Sequence, residues 1–300
     1  MLRDPATAAT VTARLTSQSI TFAPVHTVKT LGTGADTVGY ILFNDHVATA
    51  EGALVRAVNT LAAAGAKDLV LDIRYNGGGF LDIASELAFM IAGPGPTTGK
   101  TFERTIFSDK YPTNDPVTGR ALVPTAFHPA AIGFDPTIRQ GQALPHLDLA
   151  RVFVLTTTGT CSASESIINS LQGVGVQVIQ VGGTTCGKPY GFYPQDNCGT
   201  TYFSIQFQGV NEAGFGDYAG GFTPGGTGNA SPPGCAVSDD FGHELGDPAE
   251  AQLAAALAYR ATGQCPPLAA ALARRLSSPG AGVVAVPKGP WRENRILVRP

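Results

Sequence analysis

Three short stretches of this sequence hold residues that could do chemistry. In Thr158-Gly159-Thr160-Cys161-Ser162-Ala163-Ser164-Glu165, small residues lead from an apolar strand pattern into a helical one. That order puts the Ser162 hydroxyl at a helix N-terminus, where unpaired N–H groups and the helix dipole favour negative charge. A tetrahedral oxyanion forming beside Ser162 would be stabilised there. The same Ser-x-x-Glu spacing is also a capping box, a common way simply to start a helix. In Asp72-Ile73-Arg74-Tyr75-Asn76-Gly77-Gly78-Gly79, glycines follow an apolar strand and let the backbone turn tightly with bare N–H groups. An ordinary βα turn reads the same way. No GxGxxG or GxxxxGK[ST] occurs, so nucleotide phosphates are not the expected guest. In Gly182-Gly183-Thr184-Thr185-Cys186-Gly187-Lys188-Pro189, one lysine lies among small and apolar residues. A desolvated lysine gives up its proton more readily and can then act as general base toward a serine hydroxyl; a solvated loop lysine is the commoner case.

The elements that must position these stretches follow from apolar spacing. Val38 to Phe43 is a continuous apolar run of strand length, suited to burial on both faces. Leu54, Val55, Val58, Leu61 and Ala62 recur at helical spacing within Thr49 to Ala64, and Gly65 stops that helix. Lys67 to Arg74 reads as the next buried strand and Leu81 to Ile91 as the next helix, a βαβα unit favouring an α/β fold with mostly parallel strands. Residues 93–150 carry eight prolines and no long periodic segment, and read as a Pro-rich insertion of the kind that often lines an active site. Val152 to Leu155 and Val176 to Val181 read as strands around a helix from Ser164 to Leu171. Thr200 to Phe207 is a β-like run, and Asp247-Pro248 opens a last helix through Tyr259. Residues 1–37 hold β-prone pieces, Val11 to Leu15 and Ile20 to Val25, and 266–300 form an Ala-, Arg- and Pro-rich tail.

The whole chain has 300 residues, with 43% hydrophobic, 14% charged, 37 Gly, 22 Pro and a formal charge of −3. Disorder needs lower hydrophobicity and higher charge, and nucleic-acid or polybasic membrane binding needs a basic surface, so these classes are excluded. No apolar run approaches the length of a membrane span. The five cysteines form no CxxC and no zinc-like spacing with histidine, so no metal is expected. The expected disulfides are Cys186 with Cys198 and Cys235 with Cys265, leaving Cys161 free.

In this order the three stretches resemble the C-terminal processing (tail-specific) serine proteases of peptidase family S41. Asp72 to Gly79 matches the family's Asp-Leu-Arg-x-Asn-x-Gly-Gly turn, and Ser162 to Glu165 its Ser-Ala-Ser-Glu motif. Cys186-Gly187-Lys188 matches its Phe-Gly-Lys motif. The resemblance covers roughly residues 38–260 and implies a ClpP/crotonase-like catalytic domain. It implies Ser162 as nucleophile, Lys188 as general base, and the N–H groups of Gly78 and Ala163 as oxyanion hole. Four residues after the lysine, where better-studied members carry an orienting glutamine, this chain has Phe192, with Gln195 further on. Residues 1–37 are too short for the PDZ domain of many members and read as a lead-in or the end of an upstream domain. They are followed by a catalytic domain at 38–265. The implied activity is hydrolysis of unfolded or C-terminal polypeptide segments without a cofactor. The implied address is periplasmic or extracellular, with cytoplasmic as the alternative. Other readings are an ester hydrolase using the same serine, whose apolar acyl group the Phe/Tyr-rich loops would suit, and a non-catalytic apolar-ligand binder. A Ser-His-Asp hydrolase would need one of His26, His46, His128, His146 and His243, of which His243 lies beside Asp239, Asp240, Glu244 and Asp247, although no GxSxG is present.

Overall fold

The computed structural model describes residues 22–267, with short pieces at 2–3, 10–12, 16 and 296–297. Most of Val11 to Leu15 and of the tail beyond 267 lie outside the described residues, and of the piece expected at Ile20 to Val25 only Val25 is in a strand among those described. In chain order the elements begin with β1 (Leu2–Arg3), β2 (Thr10–Val11), β3 (Val25–Leu31), β4 (Val38–Phe43), α1 (Ala50–Ala63) and β5 (Asp68–Asp72). They continue with β6 (Gly79–Phe80), α2 (Leu81–Ala92), α3 (Pro94–Thr97), β7 (Thr101–Ile106), β8 (Thr125–Ala126), β9 (Arg151–Thr156) and α4 (Ala163–Gly173). The last are β10 (Gln177–Gly182), β11 (Tyr190–Gly191), β12 (Gln195–Asn197), β13 (Thr200–Tyr202), β14 (Phe207–Val210), β15 (Gly234–Ala236), α5 (Ala251–Thr262) and β16 (Ile296–Leu297).

The central sheet has the order β15-β10-β9-β5-β4-β3, parallel throughout except for antiparallel β3 at one edge. Side chains alternate between its faces. Ile41, Phe43, Leu69, Leu71, Val152 and Val154 pack under α1, α2 and α4. Tyr40, Leu42, Val70, Phe153 and Leu155 face the other way, toward Leu253 and Ala256 of α5. Burial on both sides is why these strands are apolar at every position. The chemistry-bearing turns all follow the carboxyl ends of β5, β9 and β10, so the parallel sheet gathers them at one rim.

A second sheet, β11-β14-β7-β8, is antiparallel and carries the segment that follows Lys188. The sequence reading missed β7, because Glu103 interrupts its apolar pattern. That carboxylate is buried and accepts a hydrogen bond from Ser166 Oγ at 2.7 Å. Thr200 to Phe207 is not one strand either. β13 closes a hairpin with β12, and the chain then crosses to β14, with the Gln206 N–H on Gly191 O at 3.0 Å. The last helix starts a turn later than Asp247-Pro248, at Ala251, where Glu250 caps it by accepting the Leu253 N–H at 3.0 Å.

Much of residues 107–150 hangs on α1 and α2 through buried carboxyls. Glu51 accepts the N–H groups of Gly133 and Asp135 at 2.7 Å each, and Glu86 accepts that of Ile132 at 2.8 Å. Burial pushes the Glu86 carboxyl up to about 9 and that of Glu103 to about 7. Both therefore keep a proton in the folded chain at pH values where the unfolded chain has lost it. Stability consequently falls as pH rises through 7 and then 9. Buried His46, with its pKa pushed down to about 4, acts in the opposite sense only below the ordinary histidine range. We expect thermal melts to show stability declining by on the order of 1 kcal/mol per pH unit between about pH 7 and 9. Glu86→Gln should flatten that slope; an unchanged slope would show that Glu86 is ionised in the folded chain.

Candidate active site

Ser162 sits at the N-cap of α4 with φ 59° and ψ −121°, a conformation a non-glycine residue holds only when its surroundings impose it. It faces Glu165 as in a capping box, and its N–H donates to Glu165 Oε2 at 3.0 Å. Its Oγ is wholly buried and carries no hydrogen bond among the described residues. The hydroxyl faces the Glu165 N–H as its capping-box partner, without a hydrogen bond of ordinary geometry.

Glu165 then reaches across to the third stretch. Its carboxylate accepts Thr185 Oγ1–H at 2.5 Å, the Gly187 N–H at 2.8 Å and the Lys188 N–H at 2.8 Å. Burial pushes the carboxyl up from its ordinary value, with these donors and the Ser162 N–H opposing the rise. One buried side chain thus ties the backbone of Ser162 to that of Lys188. Half-buried Lys188 places Nζ 5.0 Å above the Phe192 ring, whose edge meets Phe203 at 5.3 Å. Phe192, at the glutamine's position, so meets the Lys188 ammonium in a cation–π contact. Ser162 Oγ and Lys188 Nζ are not hydrogen-bonded here.

The glycine turn lies against Ser162. Gly78 has φ +97°, and a β-carbon there would come within 2.8 Å of Ser162 Cβ and 3.0 Å of Ala163 N, so only glycine fits. Its N–H donates to Asn76 Oδ1 at 3.0 Å. Ala163 opens α4, where a helix N–H has no intrahelical acceptor. Asn76, wholly buried, is the junction of the rim. Its Nδ2 donates to Phe43 O at 3.1 Å, and its backbone O accepts the Cys161 N–H at 3.1 Å and Ser164 Oγ–H at 3.0 Å. Asn76 Oδ1 also accepts from His46 Nδ1 at 3.0 Å, which fixes the neutral tautomer of that buried ring. The sequence reading named His46 only as one of five candidate histidines, since nothing in its local sequence connects it to a turn 30 residues away.

The disulfides differ from expectation. Cys235 pairs with Cys265 as expected, but Cys161 pairs with Cys186, Cα to Cα 5.3 Å, and Cys198 is the free, exposed thiol. The Cys186 N–H on Thr160 O at 3.0 Å lays the two turns side by side, whereas Cys198 sits in the exposed turn of the β12–β13 hairpin. Cys161, Glu165 and Cys186 form the one group of potential metal ligands gathered within 4.8 Å among the described residues, and the disulfide occupies both sulfurs. His243 is exposed and bonds Asp240 at 2.7 Å, with no hydrogen bond to Ser162. Of the aromatic residues in the loops, Tyr218 and Phe222 are core, while Tyr202 and Phe203 are half exposed.

Residues 37–192, just over half of the chain, match the model of peptidase family S41. The chain belongs to that family. It is 27% identical over 187 residues to a carboxyl-terminal-processing protease of Picosynechococcus sp., covering 62% of this chain and 37% of that protein. Its fold is similar to the crystal structure of an S41 protease from Bacteroides fragilis, with TM-score 0.64 and 26% identity. That match covers 82% of this chain and 60% of that one, so the chain spans less than two thirds of either relative.

Proposed function

We propose that this protein is a serine-type endopeptidase of the tail-specific kind, with residues 38–265 as a ClpP/crotonase-like catalytic domain. The observation that carries this reading is Glu165, which binds the backbone of the candidate nucleophile and of the candidate base through one buried carboxylate. Lys188 takes the Ser162 proton, and Ser162 Oγ attacks the peptide carbonyl. The N–H groups of Ala163 and Gly78 receive the oxyanion, Lys188 returns the proton to the leaving amine, and water hydrolyses the acyl-enzyme. The described form is a resting one. Ser162 is covered, and the Gly78 N–H must be redirected from Asn76 Oδ1 to serve the oxyanion.

The substrate is an unfolded or C-terminal polypeptide segment. Two disulfides suit an oxidising compartment, periplasmic or extracellular, and no described helix is long and apolar enough to cross a membrane. The test is mass spectrometry of an unfolded protein substrate, with a short-chain nitrophenyl ester run alongside and a fluorophosphonate adduct mapped. Peptide cleavage with the adduct on Ser162 is expected, and the mapped cuts report any preference for C-terminal ends. Ester turnover without peptide cleavage would make the protein an esterase; no turnover and no adduct would overturn the catalytic reading.

A further inference from the structure

The Cys161–Cys186 disulfide spans the proposed site at its narrowest point. Cys161 directly precedes Ser162, and Cys186 stands two residues before Lys188. Hydrogen bonds and one covalent link hold these turns together. The hydrogen bonds are those to Glu165 from Ser162, Thr185, Gly187 and Lys188 and that of the Cys186 N–H to Thr160 O; the covalent link is the disulfide. Four of these five hydrogen bonds converge on the single Glu165 carboxyl, whose burial raises its pKa while the same donors oppose the rise. The disulfide does not titrate. Neither turn belongs to a strand, so no sheet ladder takes over if the link opens.

We propose that the Cys161–Cys186 disulfide is the positioning device of the Ser162–Lys188 pair, so that the enzyme works in its oxidised form and loses turnover when that bond is reduced. The inference rests on Ser162 and Lys188 being the catalytic pair. Opening the bond needs a dithiol. Its thiolate attacks Cys186 Sγ, the half-buried sulfur, and releases buried Cys161 as a thiolate that takes up a proton. The second thiol of the reductant then displaces Cys186 as a thiol and leaves as a cyclic disulfide, two electrons having passed to the protein. The turns are then held by hydrogen bonds alone, and Lys188 can move away from the serine. An ångström of misplacement in a reacting pair costs about 100-fold in rate.

The experiment compares the full oxidised chain with Cys161→Ala/Cys186→Ala, with Cys235→Ala/Cys265→Ala and with Cys198→Ala. The readouts are kcat and KM on an unfolded polypeptide, the rate of fluorophosphonate labelling, and the melting temperature. The first double variant should lose about 100-fold in kcat and labelling rate, with KM within about twofold. The second should lower the melting temperature but keep kcat, and Cys198→Ala should change neither. Titrating the wild type with dithiothreitol supplies the same comparison should the first variant not fold, and reoxidation should restore turnover. Activity within about threefold of wild type, with Cys161 and Cys186 open by peptide mapping, would overturn the proposal. An oxidised wild type whose Ser162 is unreactive would instead overturn the catalytic reading beneath it.

Discussion

Ser162→Ala should lower kcat/KM on polypeptide substrates by on the order of 10^5-fold, and Lys188→Met by about 10^2- to 10^4-fold. Neither change should shift the melting temperature by more than about 4 °C, since each deletes one polar group and leaves the backbone hydrogen bonds to Glu165 in place. The reason lies in the geometry of the serine. Its Oγ makes no hydrogen bond of ordinary geometry among the described residues, so alanine gives up at most a weak capping contact, and alanine at φ 59° is strained no more than serine is. An activity loss far beyond the stability loss separates a nucleophile from a helix cap, because deleting a cap costs only about 1 kcal/mol. Activity kept in Ser162→Ala would end the nucleophilic mechanism. Activity kept in Lys188→Met, with Ser162→Ala dead, would move the base elsewhere.

Arg74→Met should destabilise the fold by about 3–5 kcal/mol, since it strands buried carboxylates without their cation. Arg74 is wholly buried and forms ion pairs with Asp72 at 2.7 Å, Glu250 at 2.8 Å and Asp239 at 3.0 Å. Tyr40 Oη adds a hydrogen bond to Asp72 at 2.6 Å. These carboxylates hold the guanidinium far above its ordinary value, so it never releases its proton in the folded chain. The network clamps the end of β5 to the N-terminus of α5, and Arg74 O accepts from Thr157 Oγ1 next to the serine turn. Arg74→Lys keeps the charge but lacks the guanidinium fork, and should recover only part of the loss. Urea titration at neutral pH measures both variants. A loss under about 1 kcal/mol for Arg74→Met would show that the carboxylates find other partners or water.

Several site features were legible in the sequence because they are local. A turn of Asn76 and glycines after an apolar strand and small residues before Ser162 each lie within eight positions, and their residue types leave few backbone choices. The buried parallel strands were legible for a related reason, since a strand covered on both faces is apolar at every position. β7 was not, because its interior position Glu103 is satisfied by Ser166, a partner 63 residues away. The disulfide was misassigned on the same ground. Cys198 is nearer to Cys186 in sequence, and only the packing of one turn against another makes Cys161 the partner.

By itself, then, the sequence determined the α/β class, the order of β4, α1, β5, α2, β9, α4 and β10, and the three turns with chemical potential, all matters of periodicity and steric permission. Tertiary structure alone decided that Glu165 would serve two turns rather than one cap, and that Asn76 and His46 would meet at Gly78. It also decided which thiols would join. Those outcomes depend on distances between segments 23 to 88 residues apart, which the parallel sheet sets by bringing its strand ends to one rim.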